Sequence, residues 1–166
     1  MLGVVPASHG DAVAVSDPEL EIKAAMVYNI ARFVEWPPER QPAREPGALF
    51  RLGVEGDDQL LAAFMTLAGR TVNAAIIEIV PIHTSADVKT CHLAYFATAT
   101  SPLAANTAEA TLTVSDADGF SRRGGMVELV RERNRIRFLV NPTAARARGL
   151  QFSSQLLKLA TIVEVE

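Results

Sequence analysis

Segment 91–98, CHLAYFAT, constrains this chain more than any other stretch. Leu93, Ala94, Tyr95, Phe96 and Ala97 follow one another without a polar break, so the segment reads as a strand buried on both faces. Such a strand belongs in the middle of a sheet, and that sheet needs a covering layer on each side. Helices are the layers the rest of the chain offers.

The first helix is predicted over 18–36. Asp17 is a plausible cap and Pro18 suits the first helical position. Pro37-Pro38 ends the helix, because proline lacks the amide donor and the residue before it avoids the helical region. Ile22, Met26, Ile30 and Phe33 lie together at 100° per residue, with Asn29 among them. Ala24, Val27, Ala31 and Val34 make a second apolar surface. A helix apolar on two faces is either sandwiched inside the fold or shared with another subunit. The second surface is the expected homodimer interface. Asn29 on the apolar side needs hydrogen-bond partners.

Residues 37–47 are proline-rich and read as a loop. A strand follows at 49–54. A helix then runs from Asp57-Asp58 through Ala68, with Leu60, Leu61, Phe64 and Leu67 on one face. Residues 71–80 are β-rich, 81–89 connect to the central strand, 101–110 suggest a weak helix, and 112–114 a short strand. Residues 126–131 and 135–140 form a hairpin through Glu132-Arg133-Asn134. In its second strand Ile136, Phe138 and Val140 alternate inward, while Arg133, Arg135 and Arg137 alternate to the other side. Asn141-Pro142 opens a short helix and Ser153-Ser154 caps a last one.

Strands separated by helices and followed by one hairpin define the α/β class. The expectation is a single domain over 18–164, with a mixed five- to six-stranded sheet flanked by helices on both sides. Residues 1–17 precede it as a flexible tail or a signal-peptide remnant. Ala12-Val13-Ala14 fits a signal-peptidase site, although no basic segment precedes it.

Composition removes several function classes. No apolar run approaches the roughly 18 residues of a membrane span, which excludes a transmembrane helix. The single cysteine, Cys91, excludes an intramolecular disulfide and a Cys-rich zinc site. A net charge of −3 and 6% aromatic residues argue against nucleic acid. Charge is nevertheless uneven: residues 122–148 carry eight arginines against only Glu128 and Glu132. Arg122, Arg123, Arg133, Arg135 and Arg137 are the candidate contacts for an acidic partner; the alternative is a solvated face.

Catalytic signatures are missing. There is no phosphate loop, dinucleotide fingerprint, nucleophile elbow or zinc-protease helix motif. Cys91 and His92 are adjacent on a strand, so they point to opposite faces and make a poor nucleophile–base pair. Asp116-Ala117-Asp118-Gly119 hints at a calcium loop, but position twelve is Val127 rather than glutamate. Gly119, Gly124 and Gly125, with Arg122 and Arg123 between them, form either a surface loop or an anion pocket. No catalytic, cofactor or metal site is legible.

Several segments together resemble one family. Ile22-Lys23-Ala24-Ala25, Tyr28-Asn29 and Phe33-Val34-Glu35-Trp36-Pro37 are similar to the opening helix of the YfiR family of periplasmic proteins. Leu52-Gly53-Val54, Gly56-Asp57, Leu67-Ala68-Gly69-Arg70 and Cys91-His92-Leu93-Ala94-Tyr95-Phe96 continue the match. Leu112-Thr113-Val114-Ser115-Asp116, Gly119-Phe120, Gly124-Gly125-Met126 and Arg137-Phe138 follow in order. Ser153-Ser154-Gln155-Leu156-Leu157-Lys158-Leu159-Ala160 closes it and is the most distinctive block.

The resemblance implies an exported, periplasmic α/β protein without catalysis. It implies binding to the periplasmic sensor region of a membrane-anchored diguanylate cyclase, whose activity it represses. That lowers cyclic-di-GMP signalling and biofilm formation. An outer-membrane lipoprotein that sequesters the repressor belongs to the same picture. The alternative reading is a periplasmic small-molecule sensor or ligand-binding domain. The family often carries paired cysteines. Cys91 stands where one of a pair would be, and its partner is missing.

Overall fold

A computed structural model describes residues 17–42, 45–97, 102–105 and 110–163. The suggested signal-peptidase site at 12–14 lies outside them. The chain runs α1 (Pro18–Ala31), β1 (Val34–Glu35), β2 (Leu49–Glu55), α2 (Asp58–Met65), β3 (Thr71–Val72), β4 (Ala75–Pro81), α3 (Ser85–Lys89) and β5 (Leu93–Phe96). It continues with α4 (Pro102–Ala105), β6 (Leu112–Ser115), β7 (Val127–Glu132), β8 (Arg135–Val140), α5 (Pro142–Ala147), β9 (Gln151–Phe152), α6 (Ser154–Leu159) and β10 (Thr161–Ile162).

The main sheet has eight strands in the order β10-β8-β7-β6-β5-β2-β4-β3, more than the five to six expected. The extra strands are two-residue pieces at its rims, too short to leave a periodic signal. β4, β2, β5, β6 and β7 pair in parallel, β3 is antiparallel to β4, and β8 is antiparallel to β7 but parallel to β10. The sheet is therefore mixed. Segment 71–80 folds as the β3–β4 hairpin rather than one strand, because Asn73 and Ala74 both take positive φ (49° and 75°) and reverse the chain.

β5 is central, between β2 and β6, and all four of its residues are buried. Leu93 and Tyr95 enter the larger core, together with Ala24, Val27 and Ile30 of α1 and Leu60 and Phe64 of α2. Ala94 and Phe96 enter a smaller cluster on the opposite face, with Ile82, Val88 of α3 and Phe120. Helices thus cover both faces, as the unbroken apolar run required. On that second face β2 sets Gly53 beside Ala94. A Cβ there would stand 2.6 Å from Cys91 Sγ and from Ile82, so the backbone must approach without a side chain.

α1 corrects the assignment of its two apolar surfaces. Ala24, Val27, Ala31 and Val34 are 0%, 0%, 0% and 2% exposed within a single chain. They face the sheet and cannot also form a homodimer interface, so the dimer expected from them loses its basis. The physical reason is that all four join the main core cluster, and Val34 does so from β1, beyond the end of α1 at Ala31. Ile22, on the other apolar surface, is 53% exposed. Asn29 is exposed and solvated rather than buried.

A second, two-stranded sheet pairs β1 with β9 antiparallel, Val34 opposite Phe152 and Glu35 opposite Gln151. The Ser153 amide extends it by donating to the Phe33 carbonyl at 2.9 Å.

Candidate functional site

The arginine-rich hairpin stands at one end of β7. β7 and β8 pair from Val127↔Val140 to Glu132↔Arg135, joined by the two-residue turn Arg133-Asn134. Arg135 and Arg137 share the outward face, while Ile136 and Phe138 pack against the core. Arg133 is not part of the strand. It sits in the turn at φ 56°, a conformation that suits glycine better. A notch of about 430 Å³ opens among Glu132, Arg133, Asn134, Arg135 and Arg137. Arg137 pairs with Glu132 at 3.0 Å and Arg131 with Glu19 at 3.5 Å. Among the described residues, Arg133 and Arg135 have no acidic partner, so the hairpin tip is positive.

Arg122 and Arg123 do not join this patch. They precede β7, whereas Arg133 and Arg135 follow it, so roughly 17–20 Å of strand separates them at about 3.3 Å per residue. Arg123 turns back to the Asp118 carbonyl at 2.7 Å. The glycine-rich loop is not an anion pocket either. The amides of Gly119 and Ser121 and the Ser121 hydroxyl all donate to the buried Glu128 carboxylate, at 3.1, 2.9 and 2.8 Å. The internal carboxylate already occupies the place an anion would take. Asn141 adds a bond from its side-chain amide to the Ser121 carbonyl at 2.9 Å. The calcium reading also fails, because Asp116 is bound to Lys23 at 2.7 Å. Among the described residues no group of three or more acids, histidines or cysteines could hold a metal ion.

A second feature went unseen in the sequence. A cleft of about 620 Å³ lies at the end of α1. It is lined by the continuous segment Arg32–Trp36, by Gln41 and Pro42, by the β3–β4 turn and by Ser153. The cleft thus joins Phe33-Val34-Glu35-Trp36 to Ser153, the first residue of the closing block, 118 positions beyond Glu35. Ser153 also caps α6, its hydroxyl accepting from the Leu156 amide at 3.1 Å.

Behind the cleft, the Trp36 indole donates to the His92 carbonyl at 2.9 Å, and Arg40 reaches the Cys91 carbonyl at 2.8 Å. His92 stacks on Phe50 with ring centroids 5.2 Å apart and accepts from the Arg51 amide at Nδ1 (3.0 Å). Burial, then the charges of Arg40 and Arg51, push the His92 imidazole down to about 4. It is neutral at physiological pH and works as an acceptor. Cys91 is wholly buried and its thiol is raised by that burial, so it is no nucleophile.

Comparison with known proteins decides the family. A model of the family DUF4154, described as YfiR/HmsC-like, matches residues 20–161. The chain belongs to this YfiR/HmsC-like family. The match contains every motif from Ile22 to Ala160 that carried the resemblance, the cleft and the arginine hairpin. Among solved structures, the chain is similar to a conserved domain protein from Vibrio cholerae O1 biovar El Tor, at 14% identity and a TM-score of 0.48. The alignment covers 87% of this chain and 60% of that one, so the chain spans less than two thirds of that relative's length. No curated protein matches. With one cysteine, this YfiR/HmsC-like chain lacks any intramolecular disulfide. Among the described residues no helix is long and apolar enough to cross a membrane.

Proposed function

We propose that this chain is a non-enzymatic periplasmic regulator that binds the periplasmic sensor region of an inner-membrane diguanylate cyclase and holds the cyclase inactive. Its output is lower cyclic-di-GMP and less biofilm. Sequestration by an outer-membrane lipoprotein relieves that repression. The observation that carries the reading is membership of the YfiR/HmsC-like family over 20–161.

The structure supports it in two ways. The groups at the suggested chemical sites have structural duties: the loop suggested as an anion pocket is held by Glu128, Asp116 pairs with Lys23, and Cys91 is buried. What is left exposed is a positive hairpin tip, with Arg133 and Arg135 unpaired by acids among the described residues. Such a tip suits an acidic partner surface, where rim charges set association rate and salt dependence.

Deleting the gene tests the reading, with cyclic-di-GMP measured in cells. The expected result is a rise in cyclic-di-GMP that disappears when the cyclase gene is deleted as well. An unchanged level, together with tight binding of a small metabolite by the purified protein, overturns the reading in favour of a ligand sensor.

A further inference from the structure

β8 has a free sheet edge along its amino half. The Arg133-Asn134 turn closes on Glu132 and Arg135, and in a two-residue hairpin that closing pair exchanges backbone bonds. Arg135, Arg137 and Leu139 therefore turn their backbone groups to β7, while Ile136, Phe138 and Val140 turn theirs outward. Two bonds confirm the phase. On the β7 side the Asn141 amide donates to the Met126 carbonyl at 2.9 Å, and on the outer side the Val163 amide donates to the Val140 carbonyl at 2.8 Å. β10 covers only the far end of β8, with Thr161 beside Leu139 and Ile162 beside Val140. That parallel register takes up the Phe138 carbonyl and both groups of Val140. Among the described residues, nothing bonds the Ile136 N–H, the Ile136 carbonyl or the Phe138 N–H. The stretch lies at the surface: Arg133, Asn134, Arg135 and Arg137 are exposed, and Ile136 and Phe138 are partly so.

We propose that one acidic, extended segment of a partner protein adds to this edge as a further strand, in line with β10. The two faces of β8 set its chemistry. Peptide residues beside Ile136 and Phe138 share the side of the sheet on which those two pack against the core, and are apolar. Their neighbours fall beside Arg135 and Arg137, where the notch of about 430 Å³ opens, and are acidic. The occupant thus alternates acidic and apolar side chains. Main-chain pairing supplies affinity and the arginines supply selection. Arg135 has no acidic partner among the described residues. The Arg137–Glu132 pair, with side chains 58% and 62% exposed, is weak enough to yield to a new carboxylate. The same arginines disfavour a second copy of the chain, because edge-to-edge pairing would set Arg135 against its partner's equivalent of Arg137. The proposal rests on the reading of the chain as a protein-binding regulator, but not on which protein it binds.

The test uses a phage-displayed library of unconstrained dodecapeptides, selected against the full chain. Selected peptides should carry Asp or Glu at alternate positions with apolar residues between them. In the free protein, amide exchange should be fast at Ile136 and slow at Arg137, which is bonded across the hairpin. A selected peptide should slow exchange at Ile136 and Phe138 at least about tenfold and leave Arg137 unchanged. N-methylation of the peptide residue facing Ile136 should weaken binding at least about tenfold, while methylation of the next residue has little effect. Arg135→Glu with Arg137→Glu, both at exposed positions, should weaken the acidic peptides at least about tenfold with Arg137-position exchange still slow. An empty selection, peptides without the alternation, or peptides that bind without slowing exchange at Ile136 overturn the proposal. If peptides pair as described but deleting the gene leaves cyclic-di-GMP unchanged, the functional reading falls and the edge site stands. If the purified sensor region of the cyclase binds without slowing exchange at Ile136 and Phe138, the edge site falls alone.

Discussion

Lys23 on α1 meets Asp116, just beyond β6, at 2.7 Å, with the two side chains 12% and 28% exposed. The pair joins the first helix to the carboxyl end of the parallel strands, near the buried Tyr95 hydroxyl. Burial, then the nearby Asp116 charge, pushes the Tyr95 phenol up and keeps it neutral. Lys23→Met should cost about 1–3 kcal/mol, because it leaves a half-buried carboxylate without its cation. Urea unfolding measures this. Adding Asp116→Asn should recover part of the loss, and a loss that is unchanged in the double variant would count against the coupling.

Glu128 gives a second prediction. Its carboxylate accepts three donors from the 119–121 loop. Glu128→Gln puts an amide NH₂ against at least one of those donors, at a cost of about 1.5–3 kcal/mol. The same variant should speed amide exchange at Gly119 and Ser121. Unchanged exchange there would show that the loop is held by something else.

His92 sets a pH dependence. Folded, its imidazole titrates at about 4; unfolded, it returns to about 6.5. Between those values the unfolded chain binds more protons. The His92 contribution is therefore fully present above pH 6.5 and is lost as pH falls toward 4. Urea midpoints across that range should fall more steeply for the parent chain than for His92→Gln. Equal slopes would mean that the acid sensitivity comes from carboxylates alone.

The β3–β4 turn holds Ala74 at φ 75°. Glycine adopts that conformation without the Cβ clash, so Ala74→Gly should stabilise the chain by about 0.5–1 kcal/mol despite glycine's greater unfolded entropy. A higher denaturation midpoint with an unchanged slope is the expected readout.

The arginine hairpin is tested by charge reversal. Arg133, Arg135 and Arg137 changed together to glutamate should weaken cyclase binding at least about tenfold at low salt and less at physiological salt, where screening shortens the reach of the charges. Circular dichroism should be unchanged. Normal binding by this variant makes the hairpin a solvated face.

The elements easiest to read in the sequence were those with strong local causes. Asp57 and Ser153 cap α2 and α6 as their positions suggested, and the apolar run of β5 required the two-sided burial that the structure has. α1 was found, but its inward surface was misjudged, because both apolar stripes have similar periodicity and only the partner sheet chooses between them. The β3–β4 turn was missed because Asn-Ala lacks the glycine that usually marks a two-residue reversal. The arginine hairpin was legible as a local run. The cleft was not, since its walls come from residues 32–36, 41–42, 73–74 and 153, and no short-range pattern links them.

The pairing of β1 with β9 ties position 34 to position 152. During synthesis from the amino end, α1 and β1 emerge long before their last partner exists. The end of α1 stays unlatched until Phe152 and Ser153 have left the ribosome. Closure over so many residues is a late, non-local event, of the kind that makes folding slow. A chain cut before Gln151 would therefore keep every strand of the main sheet except β10, yet leave β1 without its partner.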